Sequence, residues 1–283
     1  MKVIDQALLE KVIIERSRHS HKGDYGRLLL LGGTYPYGGA IIMSAIAAVK
    51  SGAGLVTVGT DKENILALHS HLPEAMAFSL QNQQLLKEQL EKAEVVLIGP
   101  GLREDAFGEE LVKRVFDSLR RDQILIADGG ALGILAKGQL PFPSSQLILT
   151  PHQKEWERLS GIALDHQNTE TTDRALLAFP KGTILVEKGP ATRIWQAGQP
   201  EYYQLEVGGP YQATGGMGDT LAGMIAGFAG QFHQVSLYER VVVATYLHSA
   251  IAQELAQENY LVLPTEISKL LPRAMKKISQ KGS

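Results

Sequence analysis

The chain has no cysteine. Disulfides, thiolate metal centres and thiol nucleophiles are therefore excluded, and the expected setting is a reducing cytoplasm. Net charge is nearly absent as well: 28 Lys and Arg stand against 30 Asp and Glu, for −2 at pH 7. That balance gives no electrostatic footprint for nucleic acid or an anionic membrane, and neither is expected as a partner. No apolar run approaches the roughly 20 residues a membrane span needs. The opening MKVIDQALLEKVIIERSRHSHKGD carries charge throughout and lacks a signal core. Several catalytic signatures are missing too. There is no G-x-x-x-x-G-K-[ST], hence no P-loop. There is no G-x-S-x-G elbow and no H-E-x-x-H pair, so hydrolase and zinc-peptidase readings have no support.

What is present is an alternation of apolar runs of strand length with longer helical segments. RLLLLGG (27–33), LVTVGT (55–60), EVVLIGPG (94–101), QILIADGG (123–130) and QLILTPH (146–152) read as strands. Between them, 39–54, 82–93 and 105–121 read as helices. Strands apolar on both faces and separated by helices predict a parallel sheet covered on both sides, an α/β fold. The runs 182–189, 191–196 and 201–207 have no helices between them and predict a small antiparallel extension near the C-terminus. Two strongly apolar helices, 218–230 and about 235–257, follow. With no linker, repeat or low-complexity tract, a single domain over 1–283 is expected. The terminal PRAMKKISQKGS reads as a frayed end. Met43, Met76 and the apolar face of 241–252 read as core.

In open α/β sheets, ligands bind beyond the carboxyl ends of the strands. Gly32-Gly33, Gly99-Pro100-Gly101, Gly129-Gly130 and Thr150-Pro151-His152 all fall at such ends and predict a long crevice. The densest glycine cluster is ATGGMGDTLAG (213–223), where a helix begins. Gly215, Gly216 and Gly218 leave backbone N–H groups open at a helix N-terminus, which favours an anion such as phosphate. Asp219, in the first turn, is placed to accept a proton from an alcohol held beside that phosphate. Gly-Asp at a helix start also serves as a plain cap, but the glycine density favours the anion hole.

At this point the chain resembles a known family. ATGGMGDTLAG resembles the anion hole and catalytic aspartate of the ribokinase-like superfamily. HKGDYGRLLLLGG (21–33), YGGA (37–40), AVKSGAGLVTV (48–58), LPEAM (72–76), GPGL (99–102) and LTPHQKE (149–155) resemble the ADP/ATP-dependent NAD(P)H-hydrate dehydratases. The resemblance implies a three-layer α/β/α sandwich of the ribokinase-like kind, mostly parallel with a small antiparallel C-terminal extension. It implies a carbon–oxygen lyase that returns the S epimer of hydrated NADH or NADPH (NADHX, NADPHX) to the dinucleotide by phosphorylating the ring hydroxyl, a metabolite repair. The phosphoryl donor would be ADP, with ATP as the alternative, and Mg²⁺ the accompanying ion. By the same resemblance Asp219 is the base. Ala40, Gly101, His152 and Asp219 meet the hydrated dinucleotide. Lys188, Gly189, Pro190, Ala191, Thr192 and Gly218 meet the nucleotide. Glu155 reaches Mg²⁺ through water, and the assembly is a homotetramer.

His152 after Pro151 also suits a helix cap, Glu155 suits a helix first turn on dipole grounds alone, and His21 and Lys22 suit a solvated turn. The chain departs from the family pattern at Gly209-Pro210-Tyr211-Gln212, at Lys154, and at Asp128-Gly129-Gly130, where a second acid is expected. Two alternatives stand beside the lyase: a ribokinase-like kinase acting on another small-molecule alcohol, and a non-catalytic nucleotide-sensing protein.

Overall fold

Successive side chains of a strand point to opposite faces, so the run Leu28 to Leu31 needs a core on each side. In the computed structural model, which describes residues 1–281, it forms β1 (Arg27–Leu31). Leu28 and Leu30 enter one core, and Leu29 and Leu31 enter another on the opposite face. The same alternation recurs in β4 (Val95–Ile98), β5 (Ile124–Ala127), β6 (Gln146–Leu149) and β7 (Ile184–Glu187), while β2 (Leu55–Thr60) sends Val56 and Val58 into the first core and turns Gly59 toward Leu31, Phe78 and Leu80 of the second. With β3 (Met76–Ser79), β8 (Arg193–Gln196) and β9 (Tyr203–Gln204) the sheet has nine strands, in the order β3-β2-β1-β4-β5-β6-β7-β8-β9. The pairings through β7 are parallel, and β7, β8 and β9 form an antiparallel meander.

One face carries α1 (Gln6–Val12), α2 (Gly38–Lys50), α3 (Lys62–His71), α9 (Met217–Ala229), α10 (Leu237–Leu255) and α11 (Pro264–Ser279). The other carries α4 (Gln83–Lys92), α5 (Ala106–Ser118), α6 (Gly130–Ala136), α7 (Gln153–Ser160) and α8 (Thr169–Leu176). The chain builds β1, β2 and β3 outward in one direction, then crosses back to lay β4 on the far side of β1. The carboxyl ends of β1 and β4 thus bound a topological switch point, the position where open α/β sheets hold ligands. No described helix is long and apolar enough to cross a membrane.

α9 packs backbone to backbone against α2: a Cβ on Gly223 would overlap the Ser44 carbonyl oxygen. The helix runs from the crevice to the opposite edge of the sheet, where Gly230 abuts Gly26 just before β1. Its amino terminus is thereby aimed at the strand ends.

Three expectations are corrected. The tail is not frayed over its described part: residues 264–279 form α11, begun by Pro264. Ile267 and Leu271 are buried and Met275 and Ile278 pack on the core at helical spacing. Gly282 and Ser283 lie outside the described residues. Met76 is not core; it lies on the edge strand β3, 49% exposed. Strand β3 itself is absent from the sequence reading, because four residues of mixed character carry no usable period.

Candidate active site

The glycine-rich breaks meet along one edge because β1 to β7 run the same way. Backbone bonds tie them together. The Gly33 N–H donates to the Pro100 carbonyl (2.8 Å), Thr34 to Gly101 (2.9 Å), Gly130 to Gly99 (3.2 Å) and Lys188 to Pro151 (2.9 Å). The crevice floor is therefore rigid backbone, continuous from β1 to β7. By contrast, HKGDYG forms a short 3-10 turn (Lys22–Tyr25) before β1, at the opposite ends of the strands. His21 and Lys22 are exposed there, as the solvated-turn reading holds.

Above the floor sits the start of α9. Gly216 caps it with φ 91°, a left-handed conformation favouring glycine. The Met43 thioether fills the space a Cβ would take at that position. The N–H groups of Met217, Gly218 and Asp219 lie in the first turn, where no intrahelical carbonyl is available to them. Nothing lies within 4 Å of where a Gly215 Cβ would stand, so that glycine faces open space. Ser44 Oγ donates to the Asp219 carbonyl (2.9 Å) and so fixes the turn to α2. Burial, and secondly the Asp128 charge, push the Asp219 carboxyl up to about 6; Lys188 and its own backbone N–H pull the other way. A carboxylate so placed is a usable base near neutral pH.

Lys188, at the end of β7, points its ammonium at this turn: a Cβ on Gly218 would stand 3.1 Å from Nζ. Nζ donates to Asp128 Oδ1 (2.9 Å), and Thr150 Oγ1 donates to the same oxygen (2.7 Å). Asp128 is 3% exposed. Burial works against the Lys188 ammonium, but the Asp128, Glu155 and Asp219 charges hold its pKa above the ordinary lysine value.

His152 caps α7. Its Nδ1 accepts from the N–H groups of Lys154 (3.1 Å) and Glu155 (3.2 Å), while Glu155 Oε2 accepts from the His152 N–H (2.8 Å). The ring remains exposed to the crevice with its other edge. Burial, and secondly Asp128, push Glu155 up to about 7, against the pull of Lys188.

A cleft of about 880 Å³ opens beside these groups. Its wall includes His152, Lys188, Gly189, Pro190, Thr192 and Gly218. Thr192 closes the Lys188-to-Thr192 turn, its Oγ1 donating to the Gly189 carbonyl (3.2 Å). Ala191 is exposed on the outside of that turn, and Glu155, Asp219, Gly215 and Gly216 border the cleft without lining it. Ala40 and Gly101 lie together at the switch point, where a Gly101 Cβ would stand 3.0 Å from Ala40 Cβ. They connect to Asp219 through Ser44, whose Oγ lies 3.2 Å from the Ala40 carbonyl.

Sequence reasoning placed Asp128 and Thr150 at the crevice without giving either a role, and it missed His248. An acid at the end of the apolar run ILIAD was the available signal for Asp128. His248, on α10, lines the cleft floor; burial pushes it down to about 4, so it is neutral. The departures are also placed. A Cβ on Gly130 would overlap the Leu102 carbonyl oxygen, so no acid fits there in this backbone. Gly209, Pro210 and Gln212 line one wall of the cleft, closed by Gln212 Oε1 accepting from the Gly209 N–H (3.2 Å). Lys154 points to Glu157 (2.6 Å) at the rim.

The arrangement thus combines a helix start with open N–H groups, a half-buried carboxylate and a lysine beside a cleft of about 880 Å³. A family model described as NAD(P)H-hydrate dehydratase matches residues 28–273. The chain belongs to the NAD(P)H-hydrate dehydratase family. Among its relatives, the ADP-dependent (S)-NAD(P)H-hydrate dehydratase of Streptococcus pneumoniae is 80% identical over 280 residues, covering 99% of this chain and 97% of the relative. A ribokinase-like superfamily protein from Enterococcus faecalis has a crystal structure matching with a TM-score of 0.92 at 43% identity, over 98% of this chain and 96% of that one. The ADP/ATP-dependent NAD(P)H-hydrate dehydratase of Bacillus subtilis, co-crystallised with ATP/Mg²⁺, matches with a TM-score of 0.84 at 29% identity, over 97% of each chain. The sheet, its antiparallel extension and the helices on both faces are accordingly those of a ribokinase-like dehydratase.

Proposed function

We propose that this chain dehydrates the S epimer of hydrated NADH and NADPH, with ADP as phosphoryl donor, and that Asp219 is its base. The observation that carries this reading is a half-buried carboxylate in the first turn of α9, flanked by open N–H groups and the Lys188 ammonium. Hydroxide is a poor leaving group, so the ring hydroxyl must first be converted. Asp219 takes the hydroxyl proton as the oxygen attacks the terminal phosphorus of ADP; a P–O bond to the ring oxygen forms and the bond to AMP breaks. The N–H groups of 215–218 and Lys188 stabilise the transferring charge. The ring nitrogen's lone pair then expels phosphate, and loss of a proton from the adjacent ring carbon restores the dihydronicotinamide. Hydrate and ADP thus become the reduced dinucleotide, AMP, phosphate and a proton.

The nucleotide would occupy the cleft along Lys188, Gly189, Pro190, Ala191 and Thr192, with Gly218 at its phosphate end. The hydrated ring would lie toward Ala40, Gly101 and His152. Asp128 is paired to Lys188, and the Glu155 and Asp219 carboxylates beside that pair leave a negative charge that suits a divalent cation. No described group of three acidic or histidine side chains is close enough to cage a metal alone. Mg²⁺, which keeps several waters and rides on phosphates, fits such a site with Glu155 reaching it through water. When bound it would screen the phosphate charge. Exposed Tyr260, Leu261 and Leu263 before α11 support self-association, a tetramer by the family pattern, in the cytoplasm.

The test is chromatography of a mixture of both hydrate epimers incubated with ADP and Mg²⁺. The S epimer should vanish, the R epimer persist, and AMP and phosphate appear in equal amounts. Accumulation of a stable phosphorylated dinucleotide would turn the reading to a kinase.

A further inference from the structure

We propose that Asp128 is a positioning residue: its buried carboxylate fixes the Lys188 ammonium over Gly218 before nucleotide arrives. This rests on the reading that Lys188 and the first turn of α9 receive the donor's phosphates. A lysine side chain has four rotatable bonds and a strongly hydrated head, so a free one loses much conformational freedom on binding. Here that freedom is already removed. One oxygen of Asp128 accepts from both Lys188 Nζ (2.9 Å) and Thr150 Oγ1 (2.7 Å), and backbone bonds from Thr150 N–H to Ala127 (3.3 Å) and from Lys188 N–H to Pro151 (2.9 Å) hold the strand ends that supply them. Thr150 is fully buried and Asp128 nearly so, so neither is in reach of a ligand in the cleft. Their effect on a phosphate must pass through Lys188. The clearance over Gly218 completes the arrangement: a Cβ there would stand 3.1 Å from Nζ, so the ammonium would have to shift by a few tenths of an ångström. Preorganisation of this kind acts on affinity and on transition-state charge together, because the ammonium need not move as charge develops.

A competing role is purely architectural, with Asp128 pinning the end of β5 to β6 through Thr150. The two roles separate in a double-mutant cycle on the full chain, reading kcat and the KM for ADP with hydrated NADH, alongside thermal melting. Asp128→Asn keeps the size of the side chain and an acceptor for Thr150, but loses the charge. It should raise the KM for ADP and lower kcat/KM on the order of 10- to 100-fold. In a Lys188→Met background the same substitution should add less than about twofold. Thr150→Val, which leaves the ion pair and orphans no charge, should give a smaller rise in KM that also disappears in the Lys188→Met background. It keeps the cycle readable if Asp128→Asn does not fold.

Losses that multiply on top of Lys188→Met, together with lowered melting in both backgrounds, would overturn the proposal in favour of the architectural pin. Recovery of Asp128→Asn by raised Mg²⁺ would overturn it too, by assigning Asp128 to the cation. An unchanged KM and kcat in Lys188→Met itself would instead sink the underlying reading of the phosphate site.

Discussion

Replacing Asp219 by Asn should make the protein less active and more stable at once. The carboxylate sits about two pH units above its ordinary range, pushed to about 6 by burial and by Asp128. A raised acid pKa means that the fold binds its proton more tightly than the unfolded chain, so the ionised group opposes folding. The penalty is fully present above pH 6 and vanishes below the ordinary aspartate value near 4. Two pH units correspond to roughly 3 kcal/mol, and water reaching part of the side chain reduces that to about 1–2 kcal/mol. Asparagine fills the same space without charge. At pH 8 Asp219→Asn should therefore melt higher by about 2–6 °C, a gain that shrinks to nothing at pH 4. Activity should fall by about 10²–10⁴, the usual contribution of a general base, while ADP still binds, since the N–H groups and Lys188 remain. The wild-type rate should also decline about tenfold per pH unit below pH 6. Calorimetric melts at pH 8 and pH 4, with turnover and ADP titration on the same samples, read all of this. Full activity in Asp219→Asn, or a melting difference independent of pH, would refute the assignment of a desolvated base.

Glu155→Gln should raise the Mg²⁺ concentration needed for half-maximal turnover on the order of tenfold, leaving ADP binding in metal-free buffer unchanged; an unaltered Mg²⁺ curve would remove Glu155 from the cation site. Gly223→Val must push α9 away from the Ser44 carbonyl, costing roughly 3 kcal/mol and lowering the melting temperature on the order of 6–12 °C; an unshifted melt would contradict the backbone contact. His248, held down to about 4 chiefly by burial, makes the unfolded chain the better proton binder as pH falls below the ordinary histidine range. It should therefore cost about 2 kcal/mol of stability between pH 7 and pH 5. Urea midpoints should show that His248→Gln is less pH-sensitive by that amount, and identical pH slopes would mean that the ring is solvated.

The doubly covered strands were legible because most are short apolar runs closed by glycine or proline, a pattern that suits a sheet buried on both faces. The antiparallel extension was equally plain from three β-rich runs without intervening helices. Strand β3 escaped because MAFS is short, sits at an edge and exposes Met76. The α11 helix was hidden by its lysines and by Pro272, although Ile267, Leu271, Met275 and Ile278 carry the helical period. In the site, local chemistry was visible and pairing was not. The glycine cluster around Asp219 announces a helix start with open N–H groups from composition alone. The contact between Lys188 and Asp128 spans 60 residues of sequence, and nothing local in either segment specifies it. A family motif need not lie in the site. HKGDYG carries much of the family resemblance, yet it lies at the far ends of the strands and makes a capped turn.

The most direct test of the proposed activity is the return of dihydronicotinamide absorbance from chemically hydrated NADH, with Mg²⁺ and either ADP, ATP or no nucleotide. Recovery should occur with ADP, fail without nucleotide and be lost in Asp219→Asn. Nucleotide consumption without any return of absorbance, or recovery that ignores Asp219, would contradict it.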